Sequence, residues 1–139
     1  MLSPTGKLKG DLTLLNWGDG TFWIMGSYYL RAWHMRWFND QIQDGVSVRD
    51  LGDDICGFAL IGPNSHFILQ KVAEGDVSKM RFMDCKRLDI GLIQSHVVRM
   101  SVTGEMGFEL NCKMGDHIAL RRILLEAGAD QDIREVGFN

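Results

Sequence analysis

The sequence is short of proline, with two residues, and of cysteine, with three, among 139. So little proline leaves no obvious linker, and no internal repeat or low-complexity tract divides the chain. Its length therefore reads as one domain, long enough to bury a core. Cys56, Cys85 and Cys112 form neither a CxxC pair nor a Cys/His spacing suited to zinc. They are expected to be reduced, largely packed thiols in a cytoplasmic protein, with no metal site. Long apolar runs are also missing. ICGFALIGP at 55–63 falls far short of a bilayer span, and no secretory leader pattern opens the chain, so no membrane association is expected. A surplus of positive charge is lacking too: 15 Lys and Arg against 18 Asp and Glu give a net charge of -3. That balance argues against nucleic acid as a partner, and Arg121–Arg122 reads as part of a solvated helix face.

What is present is alternation. KLKGDLTLLNW at 7–17 has Leu8, Leu12 and Leu14 on one side of a period-two pattern and predicts a strand. GDG at 18–20 is a hairpin signal, and TFWIMG returns as the partner strand. Ser27 is placed to cap a helix over 28–43, where Leu30, Trp33, His34, Trp37 and Phe38 recur at three- and four-residue spacing. DGVSVRDL predicts a turn and a strand, and DICGFALIG another strand. Pro63 begins, and Gly75 ends, a helix between them. Two strands follow around Gly91, then a third from Phe108. A last helix, GDHIALRRILLEAGAD, turns Ile118, Leu120, Ile123, Leu124 and Leu125 toward the core and is capped by Gly128. The order β-β-α-β-β-α-β-β-β-α predicts an α+β fold with an antiparallel or mixed sheet in hairpins and three helices.

RMSVTGEMGFEL at 99–110 is the stretch with chemical interest. With TGEMG at 103–107 as a hairpin loop, Val102 faces Phe108, Ser101 faces Glu109, Met100 faces Leu110 and Arg99 faces Asn111. Alternation then puts Phe108 and Leu110 on a core face and Glu109 with Asn111 on the other. Pattern alone favours a plain reading, in which Glu109 sits diagonally from Arg99 on a wet sheet face, a pair worth about 0.2–1 kcal/mol.

TGEMGFEL resembles the signature of the glycine-cleavage T-protein (aminomethyltransferase) superfamily. LSPTGKLKGDLTLL and GFALIGPNSHFILQKV resemble two further segments of it, and HMRWF and LLEAGAD are similar to helices of the folate-binding region of dimethylglycine and sarcosine dehydrogenases. The similarity runs in order along nearly the whole chain. It implies a tetrahydrofolate-binding fold in which Glu109, the second glutamate of the motif, accepts hydrogen bonds from the pteridine ring. Gly104 and Gly107 would shape the turn that holds it. Val102 stands at the motif's leading position, where most members carry an aromatic that lines the pocket. Phe22 and Val48 map near two further wall positions, although both are equally good core residues. His34 falls where T-proteins place a helix aspartate beside the reactive folate nitrogen. Histidine could move a proton there, but His34 also lies on the apolar stripe, and packing is the commoner outcome.

The resemblance further implies a partial domain. Relatives continue into a segment whose arginine helps hold folate and into a C-terminal barrel, and the dehydrogenases carry a flavin domain upstream. No GxGxxG occurs here, so FAD is expected only in a separate domain. The expected function is a tetrahydrofolate-binding module of a dimethylglycine/sarcosine dehydrogenase-like one-carbon enzyme. The alternatives are an aminomethyltransferase of a glycine cleavage system and a non-catalytic, degenerate interaction module. A homodimer through an exposed, truncated edge is also expected.

Overall fold

The computed structural model describes residues 1–137 and separates the chain into two compact units, 1–52 and 53–139. In the first unit β1 (Thr13–Asn16) pairs antiparallel with β2 (Phe22–Met25), Leu14 opposite Ile24 and Leu15 opposite Trp23. The GDG turn forms as expected. Gly18 and Gly20 take φ of 78° and 85°, while Asn16 Oδ1 and Asp19 Oδ1 accept from the amides of Gly18 and Thr21 at 2.9 and 3.0 Å. The predicted strand over 7–17 is shorter than expected. The first ten residues close on themselves instead, with the Lys9 amide donating to Met1 O at 2.9 Å and the Met1 ammonium to Gly10 O at 2.8 Å.

α1 (Arg31–Gln41) follows a single 3-10 turn over Tyr28–Leu30. Ser27 is extended, but its hydroxyl caps nothing; the Leu30 amide donates to Ser27 O, and that turn starts the helix. Of the predicted stripe only His34 is buried, while Leu30 and Trp33 are exposed. The strand predicted in DGVSVRDL does not form. Its end is tied by side chains instead: Asp50 accepts from Arg31 Nε at 2.7 Å and from the Gly52 amide at 2.8 Å.

The second unit holds a four-stranded, fully antiparallel sheet in the order β3 (Ile55–Ile61), β6 (Gly107–Lys113), β5 (Ile93–Val98), β4 (Cys85–Ile90). α2 (Ser65–Gln70) and α3 (His117–Gly128) belong to the same unit. Its core gathers Leu60, Phe108, Leu110, Cys112, Val97 and Ile93 from one sheet face with Ile68, Leu69, Leu120 and Leu124 from the helices. Each such apolar side chain removed from water contributes about 1.5–3 kcal/mol before entropy is charged against it.

Three predictions need correction here. α2 stops at Gln70, well before Gly75, because Val72–Glu74 turn aside to pair with the end of β4: the Glu74 amide donates to Asp89 O and the Gly91 amide to Val72 O, both 2.8 Å. Ile118 is exposed rather than core-facing. Gly128 is the last residue of α3, and the left-handed residue after it is Asp132, at φ 53°. The fold class stands: an α+β chain with antiparallel sheets and three α-helices.

Candidate functional site

β6 runs between β3 and β5; β3 pairs with all seven of its residues and β5 with Glu109, Leu110 and Asn111. Phe108, Leu110 and Cys112 point into the core, and Glu109 and Asn111 share the opposite face. The parity predicted from sequence is therefore correct, while the register is not. Glu109 faces Val98 on β5 and Ala59 on β3, not Ser101, and Asn111 faces His96 and Gly57, not Arg99. The loop is longer than five residues because Arg99 continues along β4: its amide donates to Asp84 O and its carbonyl accepts from the Met83 amide, both 2.9 Å. The Arg99 guanidinium lies over the Phe108 ring at 5.8 Å, so the predicted Glu109–Arg99 surface pair is not made.

Glu109 is half-buried, and among the described residues its carboxylate makes no hydrogen bond or ion pair. Burial pushes its pKa above the ordinary carboxylate value, because removing the anion from water is compensated by no donor. Val98, opposite it, is fully buried. One step along the face, Asn111 Nδ2 is buried without a partner. Gly57 leaves room for this side chain: a Cβ at that position would lie 2.7 Å from Asn111 Oδ1 and 2.3 Å from Leu110 O. The oxygen end thus rests over the glycine, and the nitrogen end is left unsatisfied. His96, across from Asn111, accepts from Arg87 Nε at 3.4 Å through Nε2, so that nitrogen is engaged elsewhere.

The remaining candidates lie on other elements. Val102 stands beyond the end of β5, 73% exposed, in a turn built by Ser101 and Thr103. It shares no ladder position with Glu109, and no bulge brings it onto β6. Gly104, at φ 79°, turns the chain as expected. Phe22 and Val48 belong to the first unit; Phe22 is 54% exposed on β2, beside the exposed Leu14 and Ile24, and Val48 is half-buried outside any strand. His34, in the same unit, is 6% exposed with Nε2 unpartnered. Cβ atoms on Gly10 and Gly26 would come within 2.9 and 3.5 Å of its ring, which therefore packs against two bare backbones. Among the described residues, no three His, Cys, Asp or Glu converge as a metal ion requires.

The sequence reading placed Asn111 beside Glu109 but gave it no role, and it passed over Gly57. The available signal was Gly57 itself, since a glycine inside an apolar strand marks close approach of another group.

The second unit thus sets a half-buried carboxylate without a donor, Glu109, on the sheet face opposite its core. The chain belongs to the family of the GCVT N-terminal domain, whose profile matches residues 1–139. It is 28% identical over 142 residues to human mitochondrial dimethylglycine dehydrogenase, covering 99% of this chain and 16% of that protein. It is 37% identical over 103 residues to an aminomethyltransferase of Bacillus licheniformis, covering 73% of this chain and 28% of that one. The chain thus spans well under half the length of these relatives. Among solved structures it is similar to the heterotetrameric sarcosine oxidase from Corynebacterium sp. U-96 in complex with pyrrole 2-carboxylate. There the TM-score is 0.72 and the identity 18%, with 95% of this chain and 66% of that one covered, a likeness of fold.

Proposed function

We propose that residues 1–139 are part of the folate-binding domain of a larger dimethylglycine/sarcosine dehydrogenase-like one-carbon enzyme, and that the domain holds tetrahydrofolate through Glu109. The observation that carries this reading is the half-buried Glu109 carboxylate with no donor of its own. Such a group costs stability in the free protein, and a ligand presenting two adjacent N–H donors offsets that cost. The 2-amino and N3–H groups of a pterin are such a pair, matched to the two oxygens of a carboxylate. When bound, tetrahydrofolate supplies the nitrogens that accept a one-carbon unit. The part of this chain is to hold and orient: Glu109 fixes the pyrimidine edge, and the rigid four-stranded ladder beneath fixes Glu109.

An aminomethyltransferase is the second reading, favoured by the 37% identity to such an enzyme. The packing of His34 weighs against a proton-transfer role at the family's aspartate position. Calorimetric titration with 5-formyltetrahydrofolate tests the binding reading. Saturable binding by the protein, and its loss in Glu109→Gln, is the expected result. Binding that survives the substitution undiminished refutes Glu109 as the anchor.

A further inference from the structure

We propose that Cys56 and Cys112 are a redox-active dithiol, which a small soluble disulfide oxidises to a cross-strand bond stapling β3 to β6. The proposal is independent of the folate reading. Strand register carries it. Cys56 on β3 stands directly opposite Cys112 on β6, and facing residues of a ladder project to the same side. Here that side is the core, where Cys112 is buried and the half-buried Cys56 packs against the same cluster. At the two ends of this ladder the Gly62 amide donates to Met106 O at 2.8 Å and the Met114 amide to Asp54 O at 2.9 Å. Even-numbered positions of β3 are therefore the ones that exchange hydrogen bonds with β6, and facing Cα atoms of such a pair lie about 5.5 Å apart. A disulfide spans Cα separations of about 4.4–6.8 Å, so this pair is within reach.

The third cysteine is not. Cys85 faces Val98 on β5, and β4 is separated from β3 by both β5 and β6, roughly 14 Å. Nor do the two thiols belong to a metal centre, since among the described residues no three metal-ligating side chains converge. Facing Cβ atoms of a hydrogen-bonded pair lie about 5.5 Å apart, whereas a disulfide holds them at about 3.8 Å. Closure therefore draws the strands together by about 1–2 Å. β3 can supply that movement, because it is the edge of its sheet and Gly57 adjoins Cys56. The bond that results is strained and readily reduced again, which suits a reversible pair rather than a permanent brace.

Exposure sets the order of events. Cys56 is the thiol within reach of solvent, so its thiolate attacks one sulfur of the incoming disulfide; that S–S bond breaks and a thiolate leaves with the bonding pair. Cys112 then gives up its proton and attacks Cys56 Sγ, and the second thiolate leaves. Two protein thiols are oxidised to one disulfide, the small disulfide is reduced to two thiols, and the two protons pass to them. Cys112, 1% exposed, never has to meet the oxidant; it needs only its neighbour.

The test treats the native full chain with excess oxidised glutathione, then maps its peptides by mass spectrometry. The expected result is a linked Cys56–Cys112 peptide pair within one chain, formed equally in Cys85→Ser and undone by dithiothreitol. Cys112→Ala should stop at glutathione held on Cys56, and Cys56→Ser should take none on Cys112. Closure should raise the urea midpoint by about 1 M. Cys56 and Cys112 both left as free thiols in the unmodified protein overturns the proposal. So does glutathione that stays on Cys56 while Cys112 is present, or a bond that forms only between chains. A midpoint unchanged or lowered by closure overturns the staple. Where Cys112→Ala does not fold, Cys56→Ser and the peptide map of the unmodified protein decide.

Discussion

Gly57→Ala is the sharpest perturbation of the sheet face that carries Glu109. The backbone at Gly57 does not have a positive φ, so alanine is conformationally acceptable and, in a strand, would ordinarily stabilise by about 0.5–1 kcal/mol. Space decides otherwise. The added Cβ would lie 2.3 Å from Leu110 O, 2.7 Å from Asn111 Oδ1 and 3.0 Å from Asn111 Cα. Two of these three atoms are backbone of the central strand, so relief requires β3 and β6 to part, and no rotamer change suffices. Overpacking costs about 1–3 kcal/mol, and a 2.3 Å approach to backbone belongs at the top of that range, leaving a net destabilisation of about 2 kcal/mol. At a urea m-value of about 2 kcal/mol/M, the unfolding midpoint should fall by about 1 M. Gly115→Ala is the control, because a Cβ there meets nothing within 4 Å. A Gly57→Ala midpoint equal to or above that of the unmodified protein would refute the close-approach argument.

Two further outcomes follow from the titratable groups. The folded-state pKa of Glu109 is raised by burial, so the native state binds its proton more tightly than the unfolded chain does. The stability linked to this group is present below the unfolded pKa of about 4.3 and is lost as pH rises through the folded value. Glu109→Gln should therefore be more stable than the unmodified protein in urea melts at pH 7 and indistinguishable at pH 4; equal stability at both would refute the desolvation argument. Cys112 is buried, and burial foremost, with the neighbouring Cys56 thiol and Asp116 adding to it, pushes its thiol up to about 11. At pH 8 only about one molecule in a thousand carries the thiolate, so iodoacetamide should leave Cys112 unmodified in the native protein and label it on unfolding, as read by mass spectrometry of peptides.

The elements that were legible in the sequence are those whose partners are local. Alternation in GFELNC sorted Phe108 and Leu110 from Glu109 and Asn111, and the structure keeps that sorting. The GDG turn was legible because its glycines and its Asn16 and Asp19 acceptors lie within a few residues of one another. The register of β6 was not legible, because it depends on Arg99 bonding to Asp84 and Met83, which are far away in sequence. Ser101 and Thr103 compounded the error: their hydroxyls bond to one another at 2.8 Å and build a turn where a strand was expected. VSVRDL failed as a strand for a related reason, since Asp50 bonds locally to the Gly52 amide and at a distance to Arg31. The family motif singled out Glu109, but it carried no signal for Asn111 or Gly57, which only the cross-strand pairing brings together.

That pairing bears on whether Glu109 is decorative. A glycine inside a strand forgoes packing, a half-buried carboxylate without a donor forgoes solvation, and a buried amide nitrogen without an acceptor forgoes a hydrogen bond. Each departure alone has an ordinary structural explanation. Here Gly57 lies directly across from Asn111, and Glu109 is the next residue of β6 on the same face. The core on the opposite face shows no comparable lapse among Phe108, Leu110 and Cys112, all 1% exposed or less. Local rules broken at adjoining positions, in a ladder otherwise well packed, mark the part of a structure where a functional surface is sought first. A ligand that donates to Glu109, as the proposed folate reading requires, would offset the carboxylate's share of that cost.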